Sequence, residues 1–101
     1  MATNKAVTLA TADFEVFGKV QGVYFRKHTQ KKAQELGLKG WVMNTAQGTV
    51  VGQLQGPPKP LQDMKVWLQM VGSPKSKIEK TTFRNESAIN NCAFRSFEIR
   101  H

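Results

Sequence analysis

The chain has few of the residues that build disulfides, metal centres or membrane segments. Of its 101 residues, one is cysteine, Cys92, and two are histidine, His28 and His101. A single cysteine cannot form an internal disulfide, and neither C-x-x-C nor H-E-x-x-H spacing occurs, so we expect no metal and a structural role for the Cys92 thiol. No apolar run is long enough to cross a bilayer or to act as a signal sequence. The sequence therefore predicts a cytoplasmic protein that has no membrane association.

Acidic residues are also scarce. Seven Asp and Glu stand against 15 Lys and Arg, which gives a formal net charge of +8. This balance suits an anionic substrate, a nucleic acid or an acidic surface. Most of the cations are lysines scattered along the chain, without an arginine-rich tract or interleaved aromatic residues. Solvated surfaces are therefore favoured over a specific nucleic-acid interface.

The apolar pattern predicts a single domain. Residues 1–12 show little periodicity and are predicted to be a flexible lead-in, with the domain spanning residues 13–101. Alternating apolar residues from Asp13 predict a first strand, and apolar residues at helical spacing predict a helix that begins near Phe25 and stops at Gly37. The later predicted elements, in chain order, are a strand over 38–45, a strand over 49–55, a helix over 61–71, a strand over 78–84 and a strand over 94–100.

The order of these elements predicts the fold class. Strand, helix, strand, strand, helix, strand is the order of an α+β, ferredoxin-like two-layer sandwich (βαββαβ), with two helices on one face of a mainly antiparallel sheet. Residues 46–48 are predicted to close a hairpin, and residues 85–91 to form a polar connection. Because many unrelated functions use this fold, the architecture says nothing about the chemistry.

The strongest functional signal is the glycine-containing segment 18–26, Gly-Lys-Val-Gln-Gly-Val-Tyr-Phe-Arg. Glycines allow a turn whose N–H groups converge on one anion, and a following helix adds its positive end. Arg26 would lie in the first helical turn, where a guanidinium can bind two phosphate oxygens. The spacing matches neither the dinucleotide fingerprint nor the P-loop. Alternatively, Gly18 ends a strand, Gly22 makes a turn and Arg26 is an ordinary surface residue, and the segment alone leaves both interpretations open.

A second signal is Asn44, which is followed by Thr45 at a predicted strand end. A neutral carboxamide can accept a hydrogen bond from a water without repelling an anion. Asparagine and threonine at a strand end are also common turn residues that satisfy nearby backbone groups. Without further information, this local interpretation is the more probable one.

These segments resemble the two signature segments of the acylphosphatase family. The resemblance rests on residues 18–26, 40–45 and 48–50 and runs from about Asp13 to the last residue. It implies an enzyme that hydrolyses the carboxyl-phosphate bond of small acyl phosphates without metal or organic cofactor. It also implies that Arg26 binds the phosphate and Asn44 orients the attacking water. The chain differs from the family at His101, where relatives often carry an aromatic residue.

The resemblance extends to the residues around these two. We also predict supporting roles for Gly18 and Thr45; Thr45 could steady the Asn44 side chain, or it could be an ordinary strand residue. The substrate-binding residues that the resemblance implies are Gln21, Gly22, Val23, Tyr24, Phe25 and Arg26. His28, one turn into the helix, is a candidate neighbour of the site, although a packing or solvated role is more probable for it.

Two other functions, RNA binding and noncatalytic phosphate binding, would each need particular residues in this sequence. An RNA-recognition motif has a similar element order but needs exposed aromatic residues on its third strand, and residues 49–55 contain none. A noncatalytic phosphate-binding regulator would keep the loop and Arg26 but would not need Asn44. We therefore expect a monomeric enzyme that acts on a small-molecule acyl phosphate and binds no specific nucleic acid.

Overall fold

A computed structural model describes residues 8–101 of the chain. Residues 1–7, which make up much of the predicted lead-in, lie outside the described residues. The elements are β1 (Leu9–Lys19), α1 (Phe25–Glu35), β2 (Lys39–Asn44), β3 (Val50–Gly56), α2 (Pro58–Met70), β4 (Lys77–Ile89) and β5 (Phe97–Arg100).

The five strands form one sheet in the order β4-β1-β3-β2-β5. β1 is antiparallel to both β3 and β4, β2 is antiparallel to β3, and only the β2–β5 pair is parallel. Alternate residues of β1, among them Phe14 and Val16, share one buried core with Phe25 of α1 and Leu68 of α2. Both helices therefore pack on the same face of the sheet, and the predicted ferredoxin-like α+β sandwich is confirmed.

The first and fourth strands are longer than predicted. β1 begins at Leu9, so residues 9–12 belong to the sheet and not to a lead-in. β4 continues to Ile89, through residues predicted to be a connection, and the two extensions pair with each other from Leu9–Ile89 to Thr11–Ser87. Apart from Leu9 and Ile89, the residues of this ribbon are small or polar, so the sequence shows little apolar alternation there, and the pairing itself makes it a strand.

The first helix follows its predicted stripe, and its N-terminus is held by packing. Phe25, Thr29 and Ala33 are its buried residues. The Phe25 ring lies 5.8 Å from the ring of Trp67, centroid to centroid, which joins the start of α1 to α2. The first turn of α1 is therefore set in a rigid position. Neither helix in the described residues has the length and hydropathy needed to span a bilayer.

Candidate active site

A pocket of about 400 Å³ opens at the N-terminus of α1, beside the ends of β2 and β5. It brings Arg26 of α1 together with Asn44, the last residue of β2. The residues that line it are Val20, Gly22, Tyr24, Phe25, Arg26, Lys27, Asn44, Ile99 and His101.

The loop that enters α1 has an unusual backbone. Gly22 has a φ of 75° and Tyr24, the residue before the helix, has a φ of 59°. A β-carbon on Gly22 would meet nothing within 4 Å, so the backbone angle, not space, favours glycine there. Left-handed angles are uncommon for a side chain as large as tyrosine, and such residues often mark binding sites.

The same loop leaves backbone donors at the pocket wall. The first helical hydrogen bond runs from the His28 amide to the Tyr24 carbonyl at 3.0 Å. The backbone amides of residues 22–27 make no hydrogen bond to another described residue. Unpaired N–H groups at a helix N-terminus carry a partial positive charge and bind anions. This part of the pocket is therefore suited to a phosphate group.

Gly18 lies inside β1 and does not line the pocket. Its φ is 127°, at a register shift between β1 and β4, and a β-carbon there would come within 2.1 Å of the Lys77 carbonyl oxygen. Gly18 therefore allows β1 and β4 to approach each other, and it supports the site only through the sheet. The turn that borders the pocket begins after it.

Four of the predicted substrate-binding residues line the pocket, namely Gly22, Tyr24, Phe25 and Arg26. The side chains of Gln21 and Val23 do not line the pocket and make contacts elsewhere. Val23 belongs to the core, and the Gln21 carboxamide donates to the carbonyl oxygens of Thr45 and Thr49 at 2.8 and 2.9 Å. Only the main chain of Gln21 and Val23 is left to contact a substrate.

Arg26 is half-buried and has no carboxylate partner among the described residues. Its Nη1 donates to the Arg100 carbonyl oxygen at 3.3 Å and lies 3.3 Å from His101 Nδ1. A guanidinium can only donate, so Nδ1 is the acceptor in the second contact. Both contacts orient the side chain without neutralising its charge, and most of its N–H donors remain for an anion.

Asn44 presents a buried acceptor without a donor. Its Oδ1 is buried and forms no hydrogen bond to any described residue. An unsatisfied buried polar atom costs about 1–3 kcal/mol, and this oxygen is free to accept a hydrogen bond from a ligand or water. The alternative interpretation, in which this oxygen serves the local turn, requires a backbone donor that the described residues do not supply.

Thr45 stabilises the turn rather than the Asn44 side chain. Its hydroxyl is 2.7 Å from the Thr49 hydroxyl and accepts from the Thr49 amide at 3.1 Å. The Thr49 hydroxyl in turn donates to Glu15 Oε2 at 2.7 Å. These contacts hold the hairpin, and none of them reaches the Asn44 side chain.

Three pocket residues were missed from the sequence, Val20, Lys27 and Ile99, and His101 was considered only for a main-chain contact with Arg26. Lys27 adjoins Arg26, and its positive charge was the available signal. Ile99 and His101 come from the far end of the chain, and only the parallel pairing of β5 with β2 brings them to the pocket.

The remaining candidates lie elsewhere. His28 lines a separate groove with Lys31, Lys32 and Trp67. Cys92 is a half-buried free thiol. Among residues 8–101, no three His, Cys, Asp or Glu side chains cluster in a way that could hold a metal ion.

The sequence and the fold of this chain are both similar to those of known acylphosphatases. A family profile described as acylphosphatase matches residues 12–99. The chain is 54% identical over 92 residues to Acylphosphatase-1 of Homo sapiens, covering 91% of this chain and 93% of that protein. It is 50% identical over 93 residues to Acylphosphatase-2 of Bos taurus, covering 92% and 94%. The crystal structure of acylphosphatase from Bacillus subtilis matches with a TM-score of 0.84 and 33% identity, covering 91% of this chain and 99% of that one. Sequence, fold and the residues around the pocket lead to one conclusion: the chain belongs to the acylphosphatase family.

Proposed function

We propose that this acylphosphatase hydrolyses small acyl phosphates by direct attack of water on a phosphorus bound between Arg26 and the backbone amides of residues 22–27. The family supplies the class of reaction. The observation that supports the division of roles is the pairing, in one pocket, of an unneutralised guanidinium and a buried amide oxygen with no donor.

The reaction needs charge stabilisation more than acid catalysis. An acyl phosphate is a mixed anhydride whose leaving carboxylate is already stable at neutral pH, so no strong general acid is required. The difficulty lies in bringing water to a phosphorus that carries several negative oxygens. Phosphoryl transfer of this kind is catalysed mainly by positioning and by stabilising charge on the equatorial oxygens.

Arg26 and the loop amides meet this need at the phosphate. The guanidinium offers parallel donors to two oxygens, and the N-terminus of α1 adds its partial positive charge. Lys27 is a second cation at the wall, and no acidic side chain lines the pocket. The site is therefore electrostatically matched to an anion.

Asn44 is suited to orient the water. Its Oδ1 accepts a hydrogen bond from the attacking molecule and directs the lone pair of the water oxygen at phosphorus. A carboxamide does this without the repulsion that a carboxylate would add beside a phosphate. We propose direct hydrolysis without a covalent intermediate, as the resemblance to the family implies; the lining contains no serine, cysteine or carboxylate side chain, and Nδ1 of His101 is occupied by its contact with Arg26.

The test is hydrolysis of benzoyl phosphate by purified protein in excess chelator, with Arg26→Ala measured alongside. We expect metal-independent hydrolysis that is lost in the variant. A wild-type rate no higher than the spontaneous rate would contradict the enzyme assignment. Loss of activity with chelator that returns with added metal would contradict metal independence.

We also propose that the protein acts as a cytoplasmic monomer on a small-molecule substrate and binds no specific nucleic acid. A pocket of about 400 Å³ matches a small ligand. The guanidinium of Arg100 lies 4.5 Å from the centre of the Trp41 ring and covers an aromatic surface that a base would need for stacking. Light scattering should give a mass near 11.3 kDa, and a dimer mass would refute the monomer.

A further inference from the structure

The side chain of Gln21 connects the two halves of the active site. Gln21 immediately precedes Gly22 in the phosphate-binding loop, and its Nε2 donates to the Thr45 carbonyl oxygen at 2.8 Å and the Thr49 carbonyl oxygen at 2.9 Å. Both bonds are partly buried. Because a carbonyl oxygen only accepts, these two acceptors also settle which end of the carboxamide faces them. One nitrogen thus holds the loop to the β2–β3 turn.

The turn that Gln21 holds is rigid within itself. The Thr45 amide donates to the Thr49 carbonyl at 2.9 Å, and the two threonine hydroxyls lie 2.7 Å apart. The Thr49 hydroxyl reaches Glu15 on β1 at 2.7 Å. The turn therefore moves as a unit, and Asn44 moves with it because Asn44 is joined to Thr45 by a peptide bond.

Unlike the two threonine hydroxyls, the Asn44 side-chain oxygen is not held by a hydrogen bond. Its Oδ1 forms no hydrogen bond to a described residue, so its position relative to the loop depends on its backbone, which β3 holds through the Asn44–Val50 pair and which Gln21 connects to the loop through the turn. We propose that Gln21 is a positioning residue, which sets the distance and direction of Asn44, and so of the attacking water, relative to the bound phosphate. This inference rests on the proposed function, in which Asn44 orients the water and the loop binds phosphate.

The arrangement predicts a separation of kinetic constants. Phosphate binding depends on Arg26, which contacts the Arg100 carbonyl oxygen, and on amides at the start of α1, where Phe25 packs on Trp67, so both are also held from outside the turn. Turnover depends on the relation between loop and turn, where a shift of about 1 Å can cost about 100-fold in rate. Loss of the Gln21 contacts should therefore lower kcat and leave phosphate affinity nearly intact.

The first experiment compares Gln21→Met with Gln53→Met. Methionine keeps the length of the side chain and removes both donors. Gln53 is a matched control because it is another partly buried glutamine, whose Nε2 donates to Asp13 Oδ1 at 2.8 Å outside the pocket. We expect Gln21→Met to lower kcat about 10- to 100-fold. The inhibition constant for inorganic phosphate should stay within about twofold, and Gln53→Met should change neither constant.

A double-mutant cycle tests whether Gln21 acts through Asn44. In the Asn44→Ala background, Gln21→Met should add less than about a twofold further loss of kcat, because no oriented water remains to be misplaced. Independent, multiplying losses would overturn the proposal. Equal losses of kcat and phosphate affinity in Gln21→Met would also overturn it, because they would mean that the loop itself had collapsed.

A second substitution at the same position, Gln21→Glu, keeps the test usable if the Gln21→Met protein does not fold. Gln21→Glu keeps the shape and sets a carboxylate against two carbonyl oxygens, so it should lose more kcat than Gln21→Met does. Only kcat is compared for this variant, because its negative charge also repels phosphate. Normal kcat in a folded Gln21→Glu enzyme would refute the positioning role. Full activity in Asn44→Ala alone would instead refute the proposed function, so the two failures are distinguishable.

Discussion

Replacing Gly18 by alanine should destabilise the protein far more than replacing Gly22, although both glycines have left-handed φ angles of 127° and 75°. At Gly22 a β-carbon meets nothing within 4 Å. The cost there is the backbone preference alone, about 1–2 kcal/mol. At Gly18 the β-carbon would lie 2.1 Å from the Lys77 carbonyl oxygen and 2.8 Å from the Glu79 nitrogen. These are backbone atoms of β4, which cannot move aside without breaking the sheet.

The Gly18→Ala change therefore adds a steric clash to the backbone cost. We expect the free energy of unfolding to fall by more than about 4 kcal/mol, a size of loss that steric clashes and backbone strain can cause. A domain of this size has about 5–15 kcal/mol of stability in total, so this loss is a large share. The melting temperature should fall by about 4–8 °C for each kcal/mol, which separates the two variants clearly.

The assay is urea unfolding of both variants and the wild type, followed by phosphate inhibition of hydrolysis in each folded protein. Gly22→Ala should weaken phosphate binding at a modest cost in stability, because it changes the turn that borders the pocket. Gly18→Ala should lose stability but, in its folded fraction, bind phosphate as the wild type does. Equal stability losses, or weaker phosphate binding in Gly18→Ala only, would refute the reasoning.

Three further predictions concern Arg26 and Asn44 in the pocket and Thr49 in the turn beside it. Arg26→Ala should raise the inhibition constant for phosphate and lower kcat/KM by about 100- to 1,000-fold, and Arg26→Lys should recover only part of this because an ammonium cannot form two parallel bonds. Asn44→Ala should lower kcat by about 100-fold or more while phosphate inhibition stays unchanged, measured in the same assay; weakened inhibition would place Asn44 in binding instead. Thr49→Val removes the hydroxyl that donates to Glu15, so the free energy of unfolding should fall by about 1–3 kcal/mol in urea titrations, and no change would mean that water replaces the contact.

The order of strands and helices was predictable because its signals are local. Alternation in the first strand, helical spacing from Phe25 to Ala33 and the stop at Gly37 all lie within a few residues of the elements they mark. The extended pairing of β1 and β4 was not predictable. Apart from Leu9 and Ile89, its residues are polar or small, and each half becomes a strand only because the other half pairs with it.

The site divides in the same way. The sequence by itself determined the chemical groups, with a glycine-containing segment that leads to Arg26 and an asparagine at a strand end, because residue type and short spacing are enough to state that chemistry. Only the tertiary structure decided which groups meet. It brought His101 to Arg26, turned the Gln21 side chain to the β2–β3 turn, and left Asn44 Oδ1 without a donor. These outcomes depend on contacts between residues far apart in the chain, which strand pairing and core packing create and which no local pattern encodes.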